Sequence, residues 1–368
     1  MKKILNLTSV LCLLLLIGMF SACDSNDEEG SSSTKPKARG AIGEIILAID
    51  SAKWQGPVGQ ALREVFMEDQ KGLIRDEYIF DIRKVDPRGM TRILRMATNI
   101  IYVTTFDDRS SASQSINATF SKEAKEKAAA DPTLYMLRSK DEFAQGQEVV
   151  YLFGRDEESL IKNIRENKSR LQNLFQVRER GRLEKLLLAR KNSAAKVAGR
   201  DLGLEVNVPA SYQIAKAENN FLWLRQPTPR SDKPDISMFF YSTDYTSEDQ
   251  VFPENVLALR ESITKQHIFG DPSNRNSYIV TERVDPSPAF NNFKINDNFA
   301  VEIRGGWKTN NLSMGGSFLG YLLVDNEKGK MYYMEGFVYY PNEAHREAIR
   351  EIETILLATE ITSQMNQE

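Results

Sequence analysis

The sequence predicts an α+β fold in which an N-terminal α/β layer domain is followed by an antiparallel sheet with packed helices. Three observations carry this. In the first half, short apolar runs alternate with segments of helical periodicity, the rhythm of strands and crossover helices. In the second half, strand-like runs follow one another with one helix among them and one at the end. A composition of 41% apolar and 27% charged residues over 368 positions suits two ordinary domains with real cores.

Gly43 to Asp50 is a short apolar run and reads as a buried strand. Gly56-Pro57 opens a helix with Val58, Leu62, Val65 and Phe66 on one face. Phe80 to Val85 alternates as a strand until Pro87-Arg88-Gly89 breaks it, and Ile93, Leu94 and Ala97 continue as a short helix. Ile100 to Thr104 and Val149 to Phe153 are further strands, with a polar surface helix around Ala128 between them. From Asp156 to about Lys196 the chain reads as helical, with Leu160, Ile164, Leu171, Leu174 and Phe175 on one side. Its other side is basic, 13 Lys or Arg against 6 Asp or Glu between Arg155 and Arg200. The plainer reading is a solvated face, or one packed across the second half; the other is contact with anionic headgroups, polysaccharide or nucleic acid.

Beyond residue 200, Leu204 to Val208, Phe221 to Arg225 and Ile236 to Tyr241 read as strands, and Asn255 to Ile268 as a helix ended by Gly270. Ser277 to Val284, Phe299 to Arg304, Phe318 to Val324 and Met331 to Tyr340 return to strand character. Asp325 to Gly329 is hairpin chemistry, which makes the last two strands antiparallel neighbours. Pro341-Asn342 opens a closing helix with Ile349, Ile352, Ile355 and Leu356. This element order is similar to PsbP-like α/β/α sandwiches, an analogy of order alone.

The start of the chain carries an address. Lys2 and Lys3 precede the uncharged run Ile4 to Phe20, and Ser21-Ala22 leads into Cys23 and a hydrophilic stretch from Asp24. That order predicts a bacterial signal peptide over residues 1–22, cleaved before a Cys23 that is acylated. Phe20 stands where such sites more often carry Leu. An ordinary signal or a single membrane helix is the alternative, but the run is near the minimum of ~17 residues for spanning and nothing basic follows it. Cleavage would remove Cys12 and leave Cys23 as the one thiol, so no disulfide framework is expected. Loss of Lys2 and Lys3 takes the net charge from −3 to −5, which gives no general attraction to nucleic acid. The expected organisation is a flexible acidic and Ser-rich linker over 23–40, an N-terminal α/β domain over 41–200 ending in the basic helix, a C-terminal domain over 201–359, and a tail over 360–368. The expected location is the cell envelope, lipid-anchored at the outer membrane on its periplasmic face or at the cell surface.

Four segments of the second half carry a resemblance: Phe221 to Arg225, Arg304-Gly305-Gly306-Trp307, Met314 to Phe318, and Glu335 to Pro341. With the lipoprotein start and Gly43 to Asp50, they resemble a Bacteroidetes family known as domain of unknown function 4837 (DUF4837), over almost all of the mature chain. Ser317 stands where the family pattern has Pro, and Ala344-His345-Arg346 replaces the usual basic start of the last helix. The resemblance implies a fold and an envelope address and transfers no catalytic residue.

Candidate chemistry is sparse. Gly315 to Gly320 lacks the second glycine of a Gly-x-Ser-x-Gly elbow, because Leu319 occupies that position. A loop entering a strand, with glycines allowing close backbone approach, accounts for it. A glycine-lined cleft with Trp307 as an apolar platform is the functional reading. His267 is expected at a helix C-terminus and His345 in the first turn of the final helix, in capping or packing roles. Two histidines and no spare cysteine argue against a structural zinc site, and no calcium loop, phosphate loop or dinucleotide fingerprint is present. No catalytic residue, metal ligand or cofactor is therefore assigned. Aromatic residues are dense from Trp307 to Tyr340, and alternation along Met331 to Tyr340 would turn some outward as a ligand or partner surface. The candidate binding surface is Arg304, Trp307, Gly315, Gly316 and Tyr339, and Cys23 is the lipidation site. The protein is expected to be a lipid-anchored envelope protein, a non-enzymatic binding or scaffold module with an envelope protein or polysaccharide as partner. The alternative is an envelope hydrolase acting on a glycan or peptide through Asp/Glu residues.

Overall fold

The computed structural model describes residues 35–362 apart from 227, 229–231 and 272. The signal segment, Cys23 and the acidic stretch after it lie outside the described residues. No described helix is long and apolar enough to cross a membrane.

The first sheet is built on β1 (Glu44–Ile49), β2 (Asp81–Val85), β3 (Asn99–Thr105), β4 (Met136–Lys140) and β5 (Glu148–Gly154), in the order β2-β1-β3-β5-β4. The first four in that order are parallel and β4 is an antiparallel edge. β1, β3 and β5 are apolar on both faces, as central strands of a parallel sheet must be. Between β1 and β2 run α1 (Ser51–Gln55) and α2 (Pro57–Phe66). Pro57 begins α2, and its buried Val58, Leu62, Val65 and Phe66 meet α5 (Glu157–Glu166) and α6 (Lys168–Leu187) over the sheet. Burial of each large side chain there contributes roughly 1.5–3 kcal/mol.

The opposite face is covered more thinly. β2 leads to β3 through two short 3₁₀ turns, Pro87–Gly89 and Leu94–Met96. α3 (Ser111–Asn117) and α4 (Lys122–Ala130) follow β3. The long basic helix read from Asp156 to Lys196 is three helices, α5, α6 and α7 (Ser193–Asp201), broken at Asn167 and over residues 188–192. Its basic residues are partly spent within the fold: Arg178 lies 3.8 Å from Glu148, and Arg182 binds Glu179 and the Gly40 carbonyl.

The second sheet runs β10-β11-β13-β14-β15-β9-β8-β7, with β12 paired to β13 beside β11. Its members are β7 (Gln213–Glu218), β8 (Phe221–Gln226), β9 (Asp235–Asp244), β10 (Phe269–Asp271), β11 (Asn274–Thr281), β12 (Ala289–Ile295), β13 (Asn298–Thr309), β14 (Gly315–Asp325) and β15 (Lys330–Tyr339), all antiparallel to their neighbours. The β14–β15 hairpin turns at Asp325 to Gly329 as expected, Gly329 having the positive φ the turn requires. α8 (Pro253–His267) packs on one face over Phe239, Val301, Phe318 and Tyr333. α7 and α9 (Arg346–Leu357) pack on the other over Leu222, Phe240, Leu323 and Met334. This is the α/β/α sandwich that the order of elements suggests.

Several local expectations change. β6 (Leu204–Glu205) is two residues long and pairs with β16 (Glu360–Ile361). Gly270 lies inside β10, whereas Ile268 caps α8. α9 begins at Arg346, with His345 as its N-cap instead of in its first turn. The expected outward aromatic face along Met331 to Tyr340 is absent: Met331 to Val338 are all buried, because helices cover both faces.

At the centre of the α8 face lies a fully buried ion pair. Arg260 of α8 donates through Nε (2.8 Å) and Nη2 (2.7 Å) to both carboxylate oxygens of Glu335 on β15. Its Nη1 donates to Thr281 Oγ1 (3.0 Å), and the Tyr333 hydroxyl donates to Glu335 Oε2 (2.6 Å). The guanidinium stacks 3.9 Å over Phe318. Removing one partner strands a buried charge, so Glu335→Leu should destabilise by about 3–5 kcal/mol. The double change with Arg260→Met should recover much of that loss in denaturant unfolding; equal instability of single and double variants would contradict the role given to the pair.

Candidate functional site

Strand alternation sorts the candidate residues by face. On β13, Val301, Ile303 and Trp307 point to the α8 side, while Arg304 points to the other. Trp307, Gly316 and Tyr339 meet at one end of the α8 face, beyond the reach of the helix. Gly316 stands opposite Trp307 in the ladder. A Cβ at Gly316 would lie 1.9 Å from the Val338 carbonyl oxygen and 2.9 Å from Trp307 Nε1. The missing side chain lets Trp307 fold across the strand and donate from Nε1 to that carbonyl at 3.1 Å. The indole then meets Phe337 edge-on, centroids 5.4 Å apart, and Tyr339 at 6.4 Å.

Around this cluster lies a cleft of about 330 Å³, lined by Trp223, Trp307, Phe269, Met314, Phe337 and Tyr339. Phe269 stands 61% exposed at its mouth. Arg225 and Asp235, paired at 2.8 Å, close its polar end. Trp223 Nε1 is buried without a hydrogen-bond partner among the described residues. Trp223, Arg225 and Asp235 escaped the sequence reading, although the alternation of Phe221, Trp223 and Arg225 on one face was the available signal. Its lining is mostly aromatic and apolar, and its one ion pair is self-neutralised.

Arg304 belongs to a different place. It is buried among Glu302, Glu353 and Tyr321 at the junction of the two sheets. It donates to both Glu302 oxygens (2.9 and 3.0 Å) and to Glu353 (2.9 Å). Burial alone would raise the Glu302 carboxyl, but Arg304 and the Tyr321 hydroxyl outweigh it and hold it below its ordinary range. A polar cavity of about 580 Å³ adjoins this cluster, between α6, the Glu68 to Lys71 segment and α9.

Ser317 and His345, 28 residues apart, also come together. Ser317 Oγ lies 3.0 Å from His345 Nδ1, and His345 Nε2 lies 3.0 Å from the Tyr340 carbonyl oxygen. A carbonyl only accepts, so Nε2 carries the proton, and in the neutral ring Nδ1 accepts from the serine. Ser317 Oγ in turn accepts from the Ile74 amide at 3.1 Å. Both side chains are buried and saturated, and through the Ile74 amide the pair is a latch between the two units. His267 serves packing: it stacks on Phe221 at 4.2 Å and contacts Glu218 at 3.0 Å. Among the described residues no group of three metal-ligating side chains occurs.

The latch makes stability depend on pH. Burial depresses the His345 pKa below its ordinary 6.5, against the opposing effects of the Tyr340 carbonyl and Glu77. Burial and Lys216 depress that of His267. The unfolded chain then takes up protons first as the pH drops, so stability is intact above about 6.5 and is lost as pH falls through the folded values. The melting temperature should decline from about pH 7.5 to about pH 5, and His345→Gln should flatten part of that slope; an unchanged slope would remove His345 from the account.

Among solved structures, the chain is similar to the Saccharomyces cerevisiae Ran-binding protein Mog1p, 7% identical over 43% of this chain and 90% of that one, TM-score 0.30. A Bacteroides thetaiotaomicron protein is 8% identical over 44% of this chain and 46% of that one, TM-score 0.24. The human StarD13 (DLC2) lipid transfer and protein localization domain is 13% identical over 39% and 86%, TM-score 0.15. No curated protein matches. The DUF4837 likeness, expected over almost all of the mature chain, is confined to its second half: residues 38–187 match a separate family, Domain of unknown function (DUF8532). Residues 191–358, the part that carries the aromatic cleft, match the family described as Domain of unknown function (DUF4837).

Proposed function

We infer that the protein is a lipid-anchored envelope binding module whose aromatic cleft holds an apolar or aromatic segment of a partner polypeptide. The observation that carries this is the cleft itself: two tryptophans, two phenylalanines, a tyrosine and a methionine around one self-neutralised ion pair. Such a lining rewards burial of one or two apolar side chains, with the Arg225–Asp235 pair at one end to meet a peptide group. A polysaccharide fits less well, because a sugar ring needs an open aromatic face and Trp307 is only 2% exposed. The anchor rests on the sequence order from Lys2 to Asp24.

The hydrolase alternative needs a carboxyl pair with one member held protonated near neutrality. The carboxylates gathered at the polar cavity include Glu302 and Glu353, and both are bonded to Arg304. Glu302 is driven toward the ionised form, the wrong direction for a general acid. This supports binding over hydrolysis.

Two experiments test the reading. Cys23→Ala should abolish palmitate labelling and release the protein from the membrane fraction; continued labelling would sink the anchor. Tagged full-length protein should capture a polypeptide from crosslinked envelopes, and Phe269→Ala with Tyr339→Ala should weaken that capture by at least about tenfold. Capture indifferent to both cleft changes would place the partner elsewhere and reject the cleft.

A further inference from the structure

The N-terminal unit has its own pocket, about 520 Å³ in volume, where the β2-to-β3 connection is 3₁₀ turns instead of a covering helix. Its floor is the sheet, where Tyr102 is 8% exposed and Tyr151 half-buried. Tyr102 of β3 and Tyr151 of β5 are cross-strand partners whose rings stack at 4.9 Å and 13°. Phe120 meets Tyr151 edge-on at 5.8 Å, and Phe143 stands at the wall beneath Arg95, whose guanidinium lies 5.5 Å from the ring. Four aromatic rings around a space of this size accept a flat ring, which can stack or meet edges.

The charges around that floor are specific. Arg88 is neutralised by Asp86, with contacts of 3.0 and 2.7 Å. Arg95 and Glu142 form no ion pair among the described residues. Glu142 accepts from the Tyr151 hydroxyl at 2.6 Å, a neutral partner that leaves its charge unmatched. Both groups act on the floor: burial pushes the Tyr102 hydroxyl up to about 12, with Glu142 adding to that rise and Arg95 opposing it. The pocket thus presents an aromatic floor, one unmatched cation and one unmatched anion. Arg95 is exposed and Glu142 half-buried at the rim, so a ligand carrying both charges meets both groups at once, whereas a singly charged one meets only one of them.

We propose that this pocket binds a zwitterionic aromatic ligand of the size of a free aromatic amino acid, its carboxylate at Arg95 and its ammonium at Glu142. The ring lies against the Tyr102–Tyr151 stack. Nothing in this inference depends on the aromatic cleft of the C-terminal unit, which lies on a different sheet.

The test is titration calorimetry of the full chain with L-tryptophan, tryptamine, which lacks the anion, and N-acetyl-L-tryptophan, which lacks the cation. L-Tryptophan should bind at least about tenfold more tightly than either analogue. Arg95→Gln should erase the advantage over tryptamine alone. Glu142→Gln, which keeps an acceptor for Tyr151, should erase the advantage over N-acetyl-L-tryptophan alone. Ser115→Trp, an exposed position on α3 that lines the pocket, should abolish binding with circular dichroism unchanged. Equal affinity for the three probes, no binding of L-tryptophan at about 10 mM, or a Ser115→Trp variant that binds as the parent does would each overturn the proposal.

Discussion

The Arg260–Glu335 pair is the constraint on which the second sheet depends. Two charges are removed from water at the centre of a nine-stranded sheet, and they are tolerated because every polar atom finds a partner. Burial pushes the Glu335 carboxyl up, and Arg260 and Tyr333 hold it back. The bidentate geometry demands one position of α8 over the strands, whereas apolar packing alone would tolerate a slide by a turn. Because α8 is pinned there, the sheet beyond it stays uncovered, and Trp307, Phe337 and Tyr339 form a cleft instead of a sealed core. Folding and site formation are therefore linked through one ion pair.

That pair explains part of what the sequence concealed. The apolar runs of β1, β3, β5, β14 and β15 were legible because burial on both faces leaves a continuous hydrophobic signature. The β14–β15 hairpin was legible because Asp325 to Gly329 supplies turn chemistry. β7 and β12 were missed: β7 is an exposed edge, β12 is polar, and neither keeps a clean alternation. The inside of β15 was misjudged for the opposite reason. Alternation fixes which residues share a face, but the cover over each face comes from α8 and α9, remote in sequence. Glu335 illustrates the limit, since a glutamate within an aromatic strand announces its partner only when α8 is in place. Of the residues singled out as a binding surface, Trp307, Gly316 and Tyr339 come together at one end of the α8 face, whereas Arg304, three residues along β13 from Trp307, faces the opposite side.

The two units are locked by backbone groups as much as by side chains. The first amides of α9 have no intrahelical acceptor, and Glu77 from the N-terminal unit accepts from both His345 N (2.7 Å) and Arg346 N (2.9 Å). Arg346 returns to the Tyr78 carbonyl and Asp81, and Ile74 joins the Ser317–His345 latch. Gly72, with φ of +78°, passes so near β13 that a Cβ there would lie 2.5 Å from Arg304 Cβ. Ser317 fits this arrangement in a way proline could not, because its hydroxyl both accepts from Ile74 and donates to His345. The departure from the expected family residue is thus a joint between units.

Both pockets arise from the same cause. A wide sheet needs helical cover on each face, and here the cover is short in two places: over β3 and β5, where 3₁₀ turns replace a helix, and beyond α8 on the second sheet. Paired aromatic rings answer each gap, from adjacent strands in the first case and across the intervening β14 in the second, and they retain much of their packing energy against one another when one side is open. Tyr102–Tyr151 and Trp307–Phe337 are the two instances. What separates them is charge. The C-terminal cleft neutralises its own ion pair and so favours an apolar guest, whereas the N-terminal pocket leaves Arg95 and Glu142 unmatched and asks its guest to supply both charges.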